Sequence, residues 1–282
     1  MTPKFRKLGL MTAVLMALLL LSGCATTGPG GQKSFILISD QEEVAIGGQV
    51  DAEVRKTNKV LPDSAWQSYL AEVGEKIVEV CDRPELQYHF TVIESDQINA
   101  FATPGGYVFF YTGILRLMDN EAEMAAVMAH EISHVVGRHS VKHLQIAYGG
   151  AIGLQLILGD QSSKLAGELA STVVGLALTG YGRSHELEAD KFGVYYMQKA
   201  GFNPGGARTM FEKLAHLSGE AKRGFFENLT ATHPDTQERL SRIDSEIAAM
   251  SRTVDALPLN KSRYQKMKSR LPPPADTTST KP

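Results

Sequence analysis

The most specific chemistry in the sequence lies in two histidines four residues apart with a glutamate beside the first, His130-Glu131-Ile132-Ser133-His134. On a helix the i, i+4 spacing stacks both imidazoles on one face, where they can share a single Zn2+. Glu131 is one residue from the first imidazole. Its carboxylate can take a proton from a water that the metal acidifies and return it to a leaving amine. The neighbours Ala125, Ala126, Val127, Met128, Ala129, Ile132, Val135 and Val136 are apolar, so this helix is read as buried. Buried imidazoles and a buried carboxylate need partners, and a metal supplies them. The competing reading, two exposed histidines on a charged helix, does not suit those neighbours. One Zn2+ per chain is expected.

A catalytic zinc site takes three protein ligands and keeps a fourth position open. Two sources of a third ligand stand in the sequence. The first is a near match to H-E-x-x-H-x-x-G-x-x-H. Gly137 holds the glycine position, but Ser140 stands where the last histidine belongs and His139 comes one residue early. His139 and His143 are therefore read as surface residues or as residues behind the ligands. The second source is Arg183 to Asp190 (RSHELEAD), where Glu186 and Asp190 share one helical face. From a second helix Glu186 can reach the metal, and Asp190 can accept the other N–H of a ligand histidine. Glu188, at i+2, points elsewhere.

These residues need a scaffold, and most of it reads as helix. Ser39-Asp40-Gln41-Glu42 is a capping box opening a helix to about Asn58. Pro62 starts a second, with Trp66, Tyr69, Leu70, Val73, Ile77 and Val80 at helical spacing. Gln87 to Glu94 and Tyr107 to Tyr111 alternate as strands, the latter after a Pro104-Gly105-Gly106 turn. Asp119 or Asn120 caps the H-E-x-x-H helix. Further helices are predicted near 140–158, 162–180, 185–200, 205–217 and 235–250. A small sheet on a helical body is an α+β, predominantly helical fold. The apolar stretch from Ile146 to Thr179 is broken by Asp160, Gln161 and Lys164, so its halves are read as buried or lid-like helices, with membrane contact as the lesser alternative.

The chain has 282 residues, 43% of them hydrophobic and 21% charged, with net charge −2. That composition excludes wholesale disorder, and the charge argues against nucleic acid as a partner. Residues 1–23 read as a signal peptide: Lys4, Arg6 and Lys7, an apolar run from Leu8 to Leu21, then Ser22-Gly23. Leu21-Ser22-Gly23-Cys24 looks like a bacterial lipobox, so Cys24 is expected to be lipidated and residues 24–33 to form a flexible tether. Ala25 after that cysteine favours the outer membrane, by resemblance to enteric lipoproteins. A domain over 34–271 and a disordered tail over 272–282 complete the expected layout. With Cys24 consumed by lipid, Cys81 is left as a lone thiol.

Asn99-Ala100-Phe101-Ala102-Thr103-Pro104-Gly105-Gly106, Asn120-Glu121-Ala122-Glu123 leading into the H-E-x-x-H motif, Glu186 to Asp190, and His233-Pro234 occur in that order. In this combination the sequence resembles the M48 family of zinc metallopeptidases, and within it bacterial lipoprotein members. The resemblance implies a gluzincin-like core, zinc on His130, His134 and Glu186, Glu131 as general base and acid, Asp190 supporting a ligand, and endopeptidase activity on proteins. It also gives Asn99, Ala100, Gly105 and Gly106 a role beside the zinc, as an edge strand that pairs with an extended substrate. The bland alternative is a structural hairpin. In some relatives a histidine placed like His233 fills the open zinc position, so His233 is a candidate plug; its alternative is a loop residue ahead of a helix. The expected substrates are unfolded or misassembled envelope proteins, met from the periplasmic side of the outer membrane. The rival expectation is an envelope assembly factor in which binding matters more than cleavage.

Overall fold

The computed structural model describes residues 24–27, 32–147, 175, 180–219, 233, 236–250 and 252–274. Strands β1 (Cys24–Thr27) and β2 (Gln32–Phe35) pair antiparallel. Residues read as a loose tether therefore carry ladder pairing. Helix α1 (Asp40–Thr57) opens on the expected capping box, with the Ser39 side chain accepting from the Glu42 backbone and Glu42 answering to the Ser39 N–H. Helix α2 (Ser64–Val78) starts after Asp63, whose carboxylate accepts from Ala65 and Trp66. Asp63 therefore caps the helix, and Pro62 lies outside it. The predicted helices near 140–158 and 162–180 lie mostly outside the described residues. Among the described residues no helix is long and apolar enough to cross a membrane.

The sheet has three strands, β3 (His89–Ile93), β4 (Ala100–Thr103) and β5 (Tyr107–Tyr111), in the order β3-β5-β4. β3 runs parallel to β5, and β4 antiparallel to it. The outer edge of β3 is covered: the Leu61 N–H donates to Val92, the Glu94 N–H to Lys59, and the Gln67 side chain brackets Val92. That leaves β4 as the other edge. A 3-10 turn over Pro104–Gly106 joins β4 to β5. Gly105 and Gly106 have φ of 76° and 88°, a region that suits glycine. A Cβ on Gly106 would lie 2.6 Å from the Gln87 carbonyl oxygen, and one on Gly105 3.0 Å from Val44 Cα. These glycines permit a close approach to the protein's own backbone at Val44 and Gln87.

Helix α3 (Thr112–Leu117) leads into α4 (Glu121–Val136), which carries the H-E-x-x-H motif through the middle of the molecule. Asn120 caps α4 by accepting from the Glu123 N–H. The first-turn acids are buried and paired: Tyr69 Oη donates to Glu121, while Thr209 Oγ1 and Lys213 Nζ donate to Glu123. Alanines at 122, 125, 126 and 129 keep the helix thin enough to be enclosed. Around it pack α2, the sheet, α5 (Arg183–Lys199) and α6 (Gly205–Gly219), and α7 (Thr236–Ala248) packs on α5 and α6. Their apolar faces form one core with Trp66, Leu70, Ile77, Val108, Phe110, Met124, Met128 and Tyr196. Each fully buried Leu or Ile contributes about 1.5–3 kcal/mol. The C-terminal helix α8 (Lys261–Lys268) has no apolar period of its own. It docks through Tyr264, which is buried and donates to the Leu115 carbonyl.

The far end of α4 is held by charge. Glu43 of α1 is buried, Arg83 Nη1 donates both to it and to the Val135 carbonyl, and Arg138 Nε lies 2.9 Å from it. Glu43 also accepts from the Gly105 N–H. One carboxylate therefore ties α1 to the end of the motif helix and to the turn beside β4.

Candidate metal centre

His130 and His134 project from one face of α4 with their Nε2 atoms 3.0 Å apart. Glu186 comes from the first turn of α5, with carboxylate oxygens 3.5 Å from each Nε2. His233 Nδ1 lies 3.4 Å from His130 Nε2 and 2.9 Å from a Glu186 oxygen. Donor atoms of these four residues all fall within 4.8 Å of one another. A tetrahedral zinc with ligands at about 2.05 Å holds neighbouring donors about 3.3 Å apart. The donor set, two or three imidazoles with one carboxylate at that spacing, fits such an ion.

Around these donors the partners are specific. Asp190 Oδ1 lies 2.9 Å from His130 Nδ1, so the i, i+4 pair on α5 divides, with Glu186 toward the donor cluster and Asp190 behind a histidine. Arg239, from α7, donates from Nε and one Nη to the two oxygens of Asp190, and its other Nη lies 2.8 Å from Glu186. Nothing in the sequence separates Arg239 from Arg242, which lies exposed and pairs with Glu238. Glu188 does point away from the cluster, yet not into solvent: its carboxylate meets His139 Nε2 at 3.3 Å. His139 is fully buried behind His134, and His143 is half-buried.

The charges work on one another. Burial opposes ionisation of Glu186, but His233 and Arg239 beside it hold its carboxyl well below the usual range. Burial likewise opposes charge on Asp190, and Arg239 outweighs it, keeping that carboxyl low. For His130 burial pulls down, while Asp190 and Glu186 push the imidazole up to about 9. Burial drives His134 well below its ordinary value, with His130 adding to the effect. Glu131 is buried on the sheet side of α4, and burial raises its carboxyl, which favours a proton carrier over a fixed anion.

Glu131 and β4 meet. The Tyr111 N–H donates to the Asn99 carbonyl, which puts Asn99 and Phe101 in hydrogen-bonded pairs with β5. By alternation the N–H and C=O of Ala100 and Ala102 face the edge that no strand among the described residues pairs with, and both residues are buried. There the Ala102 backbone lies beside the Glu131 carboxylate, and its carbonyl accepts from Tyr181 Oη at 3.3 Å. The Tyr181 ring stacks on His134, with centroids 4.0 Å apart. Asn99 is buried, and its amide has no partner among the described residues. Tyr181 was invisible in sequence because it lies in a polar junction with no periodicity, brought to the site only by tertiary packing.

Fold and donor cluster make a candidate H-E-x-x-H metal centre with its acidic third donor on a later helix. The chain belongs to peptidase family M48, whose model matches residues 64–247. It is similar to the beta-barrel assembly-enhancing protease of Escherichia coli (strain K12), 31% identical over 216 residues that cover 72% of this chain and 43% of that one. It is also similar to the mitochondrial metalloendopeptidase OMA1 of Schizosaccharomyces pombe, 33% identical over 62% of this chain and 51% of the other. Metalloprotease YcaL of Escherichia coli (strain K12) is 28% identical over 85% of this chain and 97% of its own length. The chain spans about half the length of the assembly-enhancing proteases it matches.

Proposed function

We propose that the chain is a zinc-dependent endopeptidase of the bacterial cell envelope that cuts unfolded or misassembled envelope proteins. The observation that carries the reading is the meeting of three elements: the donors of His130, His134 and Glu186, the buried Glu131 carboxylate, and the edge of β4 that no described strand pairs with. When bound, zinc supplies a Lewis acid that makes a water acidic near neutral pH and polarises a carbonyl. The protein residues then have separable tasks. Glu131 takes the proton and returns it to the leaving nitrogen. Asp190 orients His130 through Nδ1, and Arg239 holds Asp190 and Glu186 ionised. Ala100 and Ala102 offer main-chain groups to an extended peptide, and the unpaired Asn99 amide can complete that ladder. Main-chain pairing gives affinity with little sequence selectivity, which suits unfolded clients.

His233 belongs to this reading as a plug. Its Nδ1 joins the donor cluster and its Nε2 lies 3.6 Å from Glu131, so the ring lies between the donors and the proton carrier. A fourth protein ligand closes a catalytic site.

The layout we propose is a signal peptide over 1–23, a lipid on Cys24, a linker over 24–33, the peptidase domain over 34–271 and a tail over 272–282. The lipid would hold the domain at the outer membrane, facing the periplasm. The rival is an assembly factor that binds clients without cutting them. Metal analysis of the purified chain together with unfolded casein as substrate separates the two. One zinc per chain and chelator-sensitive cleavage support the peptidase; zinc without cleavage under any condition supports the rival.

A further inference from the structure

A histidine that binds metal through Nε2 must carry its proton on Nδ1, and that N–H needs an acceptor. For His130 the Asp190 carboxylate lies 2.9 Å from Nδ1, in reach to accept. For His134 the nearest group is another imidazole: its Nδ1 lies 2.7 Å from Nδ1 of His139. At that distance one nitrogen donates and the other accepts. The opposite side of His139 decides which. Its Nε2 faces Glu188, and an ionised carboxylate can only accept. His139 therefore carries its proton on Nε2 and turns a bare Nδ1 toward His134. The opposite tautomer of His139 would set two N–H groups against each other, or push the His134 proton onto Nε2, where it would block a metal.

The backbone is built to place that ring. Arg138 takes a left-handed φ of 51°, uncommon outside glycine, and is pinned there by the Ile38 carbonyl and Glu43. The chain turns just after α4 and folds His139 back beneath it. Gly137 leaves the room: a Cβ there would lie 2.4 Å from His139 Nε2, although its φ of −71° suits any residue. On its other face the His139 ring stacks on His185 at 4.2 Å. The histidine that comes one residue too early to be a metal ligand in the sequence thus arrives one shell behind the metal.

We infer that His139, steered by Glu188, is a positioning residue that fixes the tautomer and ring orientation of His134 as a metal ligand. The inference rests on the metallopeptidase reading and adds residues to it. Two measurements on the full chain test it, neither of them proteolysis. Long-range proton–nitrogen NMR of the metal-free chain reads imidazole tautomers directly; the expected pattern is Nδ1–H on His134 and Nε2–H on His139. Zinc competition against a chelator reads affinity. His139→Ala should weaken zinc binding about 10–100-fold, the loss typical of such outer-shell partners. His139→Asn, whose side-chain oxygen takes the place of Nδ1, should recover most of it. Gly137→Ala should weaken binding by displacing the ring without straining the backbone, and Glu188→Ala should mix the His139 tautomers. If His139→Ala does not fold, the Gly137 and Glu188 variants carry the test. Variants that bind zinc within twofold of a zinc-binding parent overturn the relay alone. A parent that takes up no zinc overturns the metallopeptidase reading, and the relay with it.

Discussion

Arg239 forks onto Asp190, with Nε and Nη2 at 2.7 and 2.8 Å from the two carboxylate oxygens, in a site where both side chains are almost fully buried. The same guanidinium reaches Glu186 at 2.8 Å. One residue of α7 therefore neutralises two acids of α5. Removing it leaves two carboxylates buried beside a single cationic partner set. Arg239→Ala should cost about 3–5 kcal/mol of folding stability, measured by urea unfolding of the zinc-loaded chain. Arg239→Lys should recover only part of this, because an ammonium cannot span two oxygens of one acid and reach a second. A loss below about 1 kcal/mol for the alanine variant would show that the fork is incidental.

Metal should stabilise the fold as well as serve the chemistry. Ligand donors held 3.0–3.5 Å apart on two helices are best satisfied by one cation between them. Zinc at a thousand times its dissociation constant should add about 4 kcal/mol. Chelation should lower the thermal midpoint and zinc should restore it. An unfolding midpoint indifferent to both would place the metal elsewhere.

His233 should restrain the enzyme. With Nδ1 at 2.9 Å from Glu186 and Nε2 at 3.6 Å from Glu131, its ring fills space that an attacking water and a substrate carbonyl need. His233→Ala should raise the basal rate of casein cleavage. An unchanged rate counts against a plug.

Tyr181 competes for the strand edge. Its hydroxyl occupies the Ala102 carbonyl that a paired peptide would use, and it also contacts Ser140 Oγ at 2.6 Å. Tyr181→Phe keeps the ring stacked on His134 and removes the hydroxyl. The KM for an unfolded substrate should fall roughly two- to tenfold, the worth of one net hydrogen bond, with kcat little changed. A rise in KM would mean that the phenol helps to bind substrate.

Much of this was legible before the fold was known, and the reasons are physical. The H-E-x-x-H spacing and the Glu186–Asp190 spacing are local helical geometry, so sequence alone puts each pair on one face. The capping box at Ser39 and the strand at Tyr107–Tyr111 likewise depend on near neighbours and stand where expected. What escaped depends on contacts between distant segments. Arg239 and Arg242 look alike in sequence, yet only one turns inward. Glu188 lies off the metal face, as its i+2 position dictates, but the buried His139 waits there. The backbone that Gly105 and Gly106 approach closely, that of α1 and Gln87, is likewise set by distant segments. Helix α8 is polar along its length, so only the packing of Tyr264 reveals it.

The most direct measurement is the cleavage rate of Glu131→Gln on unfolded casein, with its zinc content determined on the same sample. Glutamine preserves the shape of the side chain but cannot accept a proton. The variant should bind one zinc per chain and lose cleavage by about 10²–10⁴-fold, the range for a general base. A zinc-loaded variant that cleaves as fast as the parent would contradict the role of Glu131 and the mechanism built on it.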